Sequence, residues 1–320
     1  MGTSGGIVDR MTRSIAFVAL LLSLPVSADD HEDALARVAE GDEARIRGEF
    51  VEALAYYGQA IRLEPGLAVA WHHRGLARRQ AGDVAGALAD FDKAIELDPE
   101  AAGPRNDRGL ARADADDLDG AIADYTAAIE RGPDAAIPYN NRAFARRLNG
   151  DIDGALQDAT MALQLNPKYA RAFLNRGLCL YDLREWEDAL ADLARSIELE
   201  PAGQDTTRLR LWVLRTRLGH ADEASKELRA FLKGRVDDWV TALGKFLLGD
   251  LTEDDLLQKA ASLDLARQSE AHFFAGSKAL VAGDRAAAKR QFQAALGTGV
   301  RRTEVVRSAE AELAGLAEDR

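Results

Sequence analysis

Residues 82–99 read Gly-Asp-Val-Ala-Gly-Ala-Leu-Ala-Asp-Phe-Asp-Lys-Ala-Ile-Glu-Leu-Asp-Pro. A glycine opens the stretch, a proline closes it, and Ala87 and Ala94 flank the single aromatic, Phe91. The pattern recurs. Pro65, Pro99, Pro133, Pro167 and Pro201 stand 34 residues apart, and they account for five of the eight prolines in the chain. Counting back from each proline sets five frames: 34–67, 68–101, 102–135, 136–169 and 170–203. Position 20 is alanine in every frame, as Ala53, Ala87, Ala121, Ala155 and Ala189. Position 8 is Gly41, Gly75, Gly109, Ala143 and Gly177, and position 24 is Tyr57, Phe91, Tyr125, Ala159 and Leu193. Small residues at positions 8 and 20 let two helices of one frame approach closely. The larger residue at position 24 then fills the space beside them. Gly48, Gly82 and Gly150 fall at the turn between the helices, where a positive φ costs a glycine little. Each proline stops the second helix.

This spacing resembles the tetratricopeptide repeat (TPR) over residues 34–203. The resemblance implies an all-α fold, a right-handed α-solenoid of helix–turn–helix repeats with a concave groove lined by the first helix of each repeat. Beyond Pro201 the period blurs. Leu209–Leu218 and Glu223–Leu232 still read as a helix pair around Gly219, and Thr252 with Asp255 forms a capping box for the helix that follows. Gly276, Gly283, Ala288, Phe292 and Ala295 restore the pattern over 269–300, and Glu304–Leu316 reads as a polar capping helix. The expected organisation is therefore a leader at 1–28, five repeats at 29–203, and degenerate TPR-like helices with a final repeat at 204–320.

The C-terminal part is similar to the bacterial NlpI-type TPR lipoproteins. The motifs are Asn175-Arg176-Gly177, Arg210-Leu211-Trp212, Phe246-Leu247-Leu248-Gly249-Asp250-Leu251-Thr252 and Glu270-Ala271-His272-Phe273-Phe274-Ala275-Gly276. The resemblance implies a periplasmic adaptor that brings an envelope protease or hydrolase to its clients. The chain departs from those proteins in having no lipobox cysteine, so their membrane anchor is not carried over.

Ile15–Leu24 is an uncharged apolar run of ten residues, preceded by Arg10 and Arg13 and followed by Pro25-Val26-Ser27-Ala28. It is too short to span a bilayer, which takes roughly 20 residues. With small residues at −3 and −1 of a cut after Ala28, it reads as a cleavable export signal, starting at Met1 or Met11. The expected location is the periplasm, as a soluble protein without lipid. The formal net charge is −12, from 41 Lys+Arg and 53 Asp+Glu, which disfavours a nucleic-acid partner. A single cysteine excludes an internal disulfide and a cysteine-based zinc site. No cofactor or metal is expected: His72 and His73 are adjacent, diverge on a helix and have no evident third ligand. No phosphate loop or nucleophile elbow is present, so no enzymatic activity is expected.

Two sets of side chains remain. Arg74, Arg108, Arg142 and Arg176 recur at position 7, and Asp90, Asp124, Asp158 and Asp192 recur at position 23 of the same frames. Their joint recurrence points to one structural ion pair per repeat rather than an anion-binding stripe. The groove positions yield the functional candidates: His72, His73, Asn106, Asp107, Asn140, Asn141 and Asn175, with Phe144 and Tyr181 as apolar area and Arg79, Arg147 and Arg171 as local positive charge. Asn amides can pair with both backbone groups of an extended peptide. The carboxylate clamp of TPR cochaperones needs Lys at position 5 and Asn at position 9, where Val38 and Asp42 or His72 and Leu76 stand instead. The expected partners are proteins, held in the groove, and a homo-oligomer is left open. The alternatives are a structural assembly factor for an envelope complex, acting through a convex or C-terminal surface, and a regulatory subunit of an enzyme.

Overall fold

Aspartates start the second helices of three consecutive repeats. Asp83, Asp117 and Asp151 each accept a hydrogen bond from the backbone N–H of a glycine three residues on, at 2.9, 3.0 and 3.0 Å. That contact satisfies one of the orphan donors of the first turn. The computed structural model describes residues 30–318, and the leader expected at 1–28 lies outside the described residues. All regular structure among the described residues is α-helical. The chain divides into two units after Asp134.

The first unit contains α1 (Asp30–Ile46), α2 (Phe50–Leu63), α3 (Ala68–Gln80), α4 (Val84–Leu97), α5 (Ala102–Asp114) and α6 (Leu118–Arg131). They pair as antiparallel hairpins α1/α2, α3/α4 and α5/α6, with α2 packed on α3 and α4 on α5. The first helices α1, α3 and α5 lie side by side. A Cβ added at Gly41, Gly75 or Gly109 would meet the ring of Tyr57, Phe91 or Tyr125 at 2.5–2.6 Å. Position 8 is therefore held to glycine wherever position 24 is aromatic. The turn between the helices needs a positive φ, which Gly48 and Gly82 adopt at 77° and 85°, and Asp116 takes the same conformation at 62°.

The second unit begins with α7 (Ala136–Asn149), α8 (Ile152–Leu165), α9 (Ala170–Asp182) and α10 (Trp186–Leu199). It continues with α11 (Asp205–Arg217), α12 (Ala221–Leu232), α13 (Trp239–Leu248), α14 (Glu253–Ala261), α15 (Leu265–Val281), α16 (Arg285–Gly297) and α17 (Glu304–Glu318). The hairpin rule holds with substitutions that compensate. In the frame where position 24 shrinks to Ala159, position 8 is Ala143, and both are fully buried. Where it is Leu193, the added Cβ at Gly177 would meet the leucine at 2.9 Å. Gly276 and Phe292 repeat the glycine–aromatic contact in α15/α16 at 2.7 Å. Thr252 caps α14, its hydroxyl accepting the N–H of Asp255 at 3.2 Å.

One element departs from its expectation. The helix expected to cap the last hairpin, α17, packs on α16 and α15 but also reaches back to α9 and α7. Val305, Val306 and Ala309 are buried on its inner side. It lies across the first-helix face of the second unit.

Candidate functional site

The position-7 arginines and position-23 aspartates form bidentate pairs. Arg74 Nε and Nη2 donate to Asp90 at 2.8 and 2.7 Å, and Arg142 does the same to Asp158 at 2.8 and 2.7 Å. Arg108 with Asp124 and Arg176 with Asp192 share that geometry. The aspartates are almost fully covered, with side chains 2–8% exposed. The guanidinium groups of Arg74, Arg142 and Arg176 also lie beside the aromatic ring three residues earlier, as Arg74 does over Trp71 at 4.7 Å.

A second arginine, missed in the sequence reading, completes three of these pairs. Arg78, Arg112 and Arg146 each reach the same aspartate at 2.9 Å and the carbonyl of Gly86, Gly120 or Gly154. Their recurrence at position 11, again 34 residues apart, was the signal. Buried and doubly bound, these aspartates tie the two helices of a repeat together.

The groove candidates separate by unit. In the first unit they form bonds between adjacent first helices. His73 Nδ1 lies 2.9 Å from Asp42, His72 Nε2 lies 2.6 Å from Asp107, and Arg79 Nε donates to Asp114 at 2.6 Å. Tyr57 OH donates to the same Asp42 at 2.7 Å. His72, His73, Arg79, Asp42 and Asp107 are half-buried, each with an edge toward solvent, whereas Tyr57 is fully covered and Asp114 is exposed. Burial lowers the His73 pKa below the usual imidazole value, against the pull of Asp42. Asn106 is nearly covered and donates to Asp107 at 3.1 Å.

In the second unit several expectations are corrected. Asn140 and Asn175 are buried, and the Asn175 amide donates to the Asn140 side-chain oxygen at 2.9 Å. They bond α7 to α9 rather than offering amides to a ligand. Tyr181 is 1% exposed, and its hydroxyl donates to Glu312 of α17 at 2.7 Å. Arg147 is equally covered; it pairs with Asp182 at 2.7 Å and donates to Ser308 of α17 at 3.1 Å. The physical reason is common to both residues: α17 covers this face. Asn141 and Phe144 remain half-buried, and Arg171 is exposed. Cys179 is fully buried, and its thiol is pushed up to about 12 by desolvation, which removes it as a nucleophile.

Beneath α17 lies a charge cluster that no local pattern announced. Arg210 of α11 is 1% exposed, sits over the rings of Tyr181 and Phe273 at 5.5 and 4.9 Å, and donates to the Ser308 hydroxyl at 3.0 Å. The Ser308 hydroxyl in turn donates to Asp182 at 3.0 Å. Glu312 accepts from Arg217 at 2.8 Å as well as from Tyr181. Arg147 and Arg210 differ in one respect. Burial works against the charge of both, but Asp182 outweighs it at Arg147 and leaves the pKa raised, whereas burial leaves that of Arg210 lowered. Arg147 Nη1 and Arg210 Nε and Nη2 are buried without a hydrogen-bond partner.

Among the described residues no group of three His, Cys, Asp or Glu is placed to hold a metal ion, and no helix is long and apolar enough to cross a membrane. Models of the tetratricopeptide repeat match residues 68–101, 106–169 and 141–212. No curated protein matches the chain. Among solved structures, pilF of Pseudomonas aeruginosa is similar at 17% identity, over 64% of this chain and 95% of that one, with a TM-score of 0.58. PilW, a type IV pilus biogenesis factor, is similar at 18% identity over 63% and 94% of the two chains, with a TM-score of 0.57. A tetratricopeptide repeat protein of Parabacteroides merdae shares 14% identity over 88% of this chain and 99% of its own, with a TM-score of 0.55. At these identities the likeness is one of fold. The recurring glycine–aromatic contacts, the matched repeat models and the shared helical architecture make the chain a tetratricopeptide repeat protein.

Proposed function

We propose that this protein is a scaffold of the cell envelope whose first-helix face in the first unit captures a segment of a partner protein. One observation carries the reading. His73–Asp42, His72–Asp107 and Arg79–Asp114 each bridge neighbouring first helices, so the face offers donors and acceptors already fixed in position and still half open to solvent. A preordered face loses little entropy on binding, which favours capture of an extended segment by backbone hydrogen bonds. In the second unit Asn141, Phe144 and Arg171 offer the accessible polar and apolar groups.

The export signal read at 1–28 supports a periplasmic location. The NlpI-like motifs of the C-terminal part support the finer reading, a link between an envelope protease or hydrolase and its clients. The second reading is an assembly factor acting through its C-terminal surface; it draws on Val236 and Leu265, apolar side chains 75% and 53% exposed there.

Affinity capture from an envelope fraction tests the choice. Replacing His72 and Arg79 together with Ala is expected to lower the yield of the captured partner about tenfold, the equivalent of about 1.4 kcal/mol. Undiminished capture by that variant, with loss on Val236→Ser and Leu265→Ser, transfers the site to the C-terminal surface.

A further inference from the structure

The hairpin α11/α12 breaks the packing rule of its neighbours, and a cleft opens where it does. The eighth residue of the first helix is Gly75 in α3, Gly109 in α5, Ala143 in α7 and Gly177 in α9. In α11 it is Trp212, and the eighth residue of α12 is Leu228. A lone Cβ at Gly109 would already meet the Tyr125 ring at 2.6 Å, so an indole at that place holds two helices apart. The indole N–H donates to Ser225 of α12 at 3.3 Å, which fixes the ring across the hairpin. The bond between the helices lengthens to match. Arg78, Arg112 and Arg146 reach an aspartate, whereas their counterpart Arg215 meets Glu227, one methylene longer. Between α11 and α12 lies a cleft of about 40 Å³ over Leu211, Trp212, Ala224 and Leu228. It has room for a side chain of about three heavy atoms. At one end Arg215 holds Glu227; at the other Arg208 lies beside Phe231, its guanidinium 5.1 Å from the ring centre. Arg235 lies on the same ring at 4.7 Å and binds both Asp205 and Asp238. Of these three arginines only Arg208 has neither an ion pair nor a hydrogen bond among the described residues, and it is half-buried.

We propose that this cleft takes an extended segment of a partner protein, seating one small apolar side chain between α11 and α12 and placing a carboxylate, two residues along the segment, on Arg208. Arg208 stands four residues, about 6 Å of helix, before Trp212. Side chains two residues apart in an extended segment share a face and lie about 6.6 Å apart, so one segment reaches both points. The carboxylate accepts a forked pair of hydrogen bonds from a guanidinium that already rests on Phe231, which limits the freedom lost on binding. The apolar side chain fills space that the indole keeps open and gains contacts with the lining. The proposal rests on the reading of the protein as a protein-binding scaffold, but its site is distinct from the first-helix face of the first unit.

Blocked synthetic peptides test it on the full chain, with saturation-transfer NMR on the valine methyls as the readout. The probes are acetyl-Gly-Val-Gly-Glu-Gly-amide, the reversed order acetyl-Gly-Glu-Gly-Val-Gly-amide, and the same two peptides with Gln in place of Glu. One of the two orders is expected to bind saturably and at least fivefold more tightly than its Gln counterpart. Phe in place of Val is expected to abolish binding, because the ring exceeds the cleft. Arg208→Gln is expected to erase the preference for Glu with little change in Tm, since Arg208 has no ion pair or hydrogen bond to lose, and Arg208→Lys is expected to keep part of it. Equal binding of the Glu and Gln peptides, or a preference that survives Arg208→Gln, would overturn the proposal. Absence of saturable binding by all of the peptides would overturn it too. Tighter binding of acetyl-Gly-Gly-Val with a free C-terminal carboxylate would assign the cleft to chain ends, and that also overturns it. The double variant His72→Ala with Arg79→Ala is expected to bind the peptides unchanged, so failure of this cleft and failure of envelope capture through the first unit are told apart.

Discussion

Asp158 is held by Arg142 and Arg146 at once, with its side chain 5% exposed. Removing its charge leaves two guanidinium groups sharing a neutral partner, so Asp158→Asn is expected to destabilise the chain by about 2–4 kcal/mol. Urea unfolding measures this, and a change within about 0.5 kcal/mol would show that the pair is no more than a surface bridge. The glycines of position 8 make a second residue-scale test. A methyl at Gly109 would lie 2.6 Å from the Tyr125 ring, which is itself 1% exposed and cannot swing away. Gly109→Ala is expected to cost about 1–3 kcal/mol, and Gly109→Ala with Tyr125→Ala should recover part of it, since the chain itself accommodates Ala143 opposite Ala159. A double variant no better than the more damaging single one would refute the steric account. The Arg142–Asp158 and Gly109–Tyr125 contacts were legible in the sequence because each joins residues sixteen apart within one repeat and recurs in neighbouring repeats.

Among the elements, α17 carries the largest difference between expectation and structure. A terminal amphipathic helix is the ordinary lid of a solenoid, and the sequence 304–316 shows nothing more. In the structure its Glu312 satisfies both Tyr181 and Arg217. Glu312→Ala would orphan a buried phenol and a largely buried guanidinium. Its expected cost is about 3–5 kcal/mol, or release of α17 if release is the cheaper outcome. Protease susceptibility at Arg307 tells the two apart, since its guanidinium is held on the Leu148 carbonyl in the docked helix and is freed to trypsin in a released one. Resistance equal to that of the parent chain, with no loss of stability, would remove α17 from its position on this face. Tyr181 and Arg147 were misread for the same reason. Their positions within the repeat match groove residues, but what covers them comes from a distant part of the chain.

At the scale of the whole molecule the two units differ in core. In the second, one cluster runs from Leu178 to Ala309 and gathers Trp212, Phe246, Phe273, Phe274 and Phe292. In the first, burial is divided into smaller groups, one around Tyr57 and one around Phe91, built mostly from alanine. Local opening costs less where fewer apolar contacts break together. Amide exchange is therefore expected to be faster in α1–α6 than in α9–α16, and equal protection across the chain would contradict this.

Acid should act on the first unit. His73 has its pKa lowered by burial, so the unfolded chain takes up a proton on acidification before the folded chain does. The stability this group contributes is full above about pH 6.5 and declines as pH falls below that value. Asp42, His72, Arg45 and Tyr57 surround it, and Asp42 opposes the shift without reversing it. The urea midpoint of the first unit is expected to drop between about pH 7.5 and about pH 5.5, and His73→Gln should flatten that slope. An identical slope in the variant would assign the acid sensitivity elsewhere.

The sequence by itself determined the hairpin and its repetition. The small residue at position 8, the larger one at position 24, the turn glycine, the aspartate cap and the Arg–Asp pair all act within 34 residues, and a repeat array writes such short-range complementarity into the chain as a period. Only the tertiary structure decided which first-helix face stays open. The bonds that close the second unit join Arg147 to Ser308 across 161 residues and Tyr181 to Glu312 across 131. Contacts of that length leave no period, because each is made once, by a helix whose own sequence specifies only that one side of it must be buried.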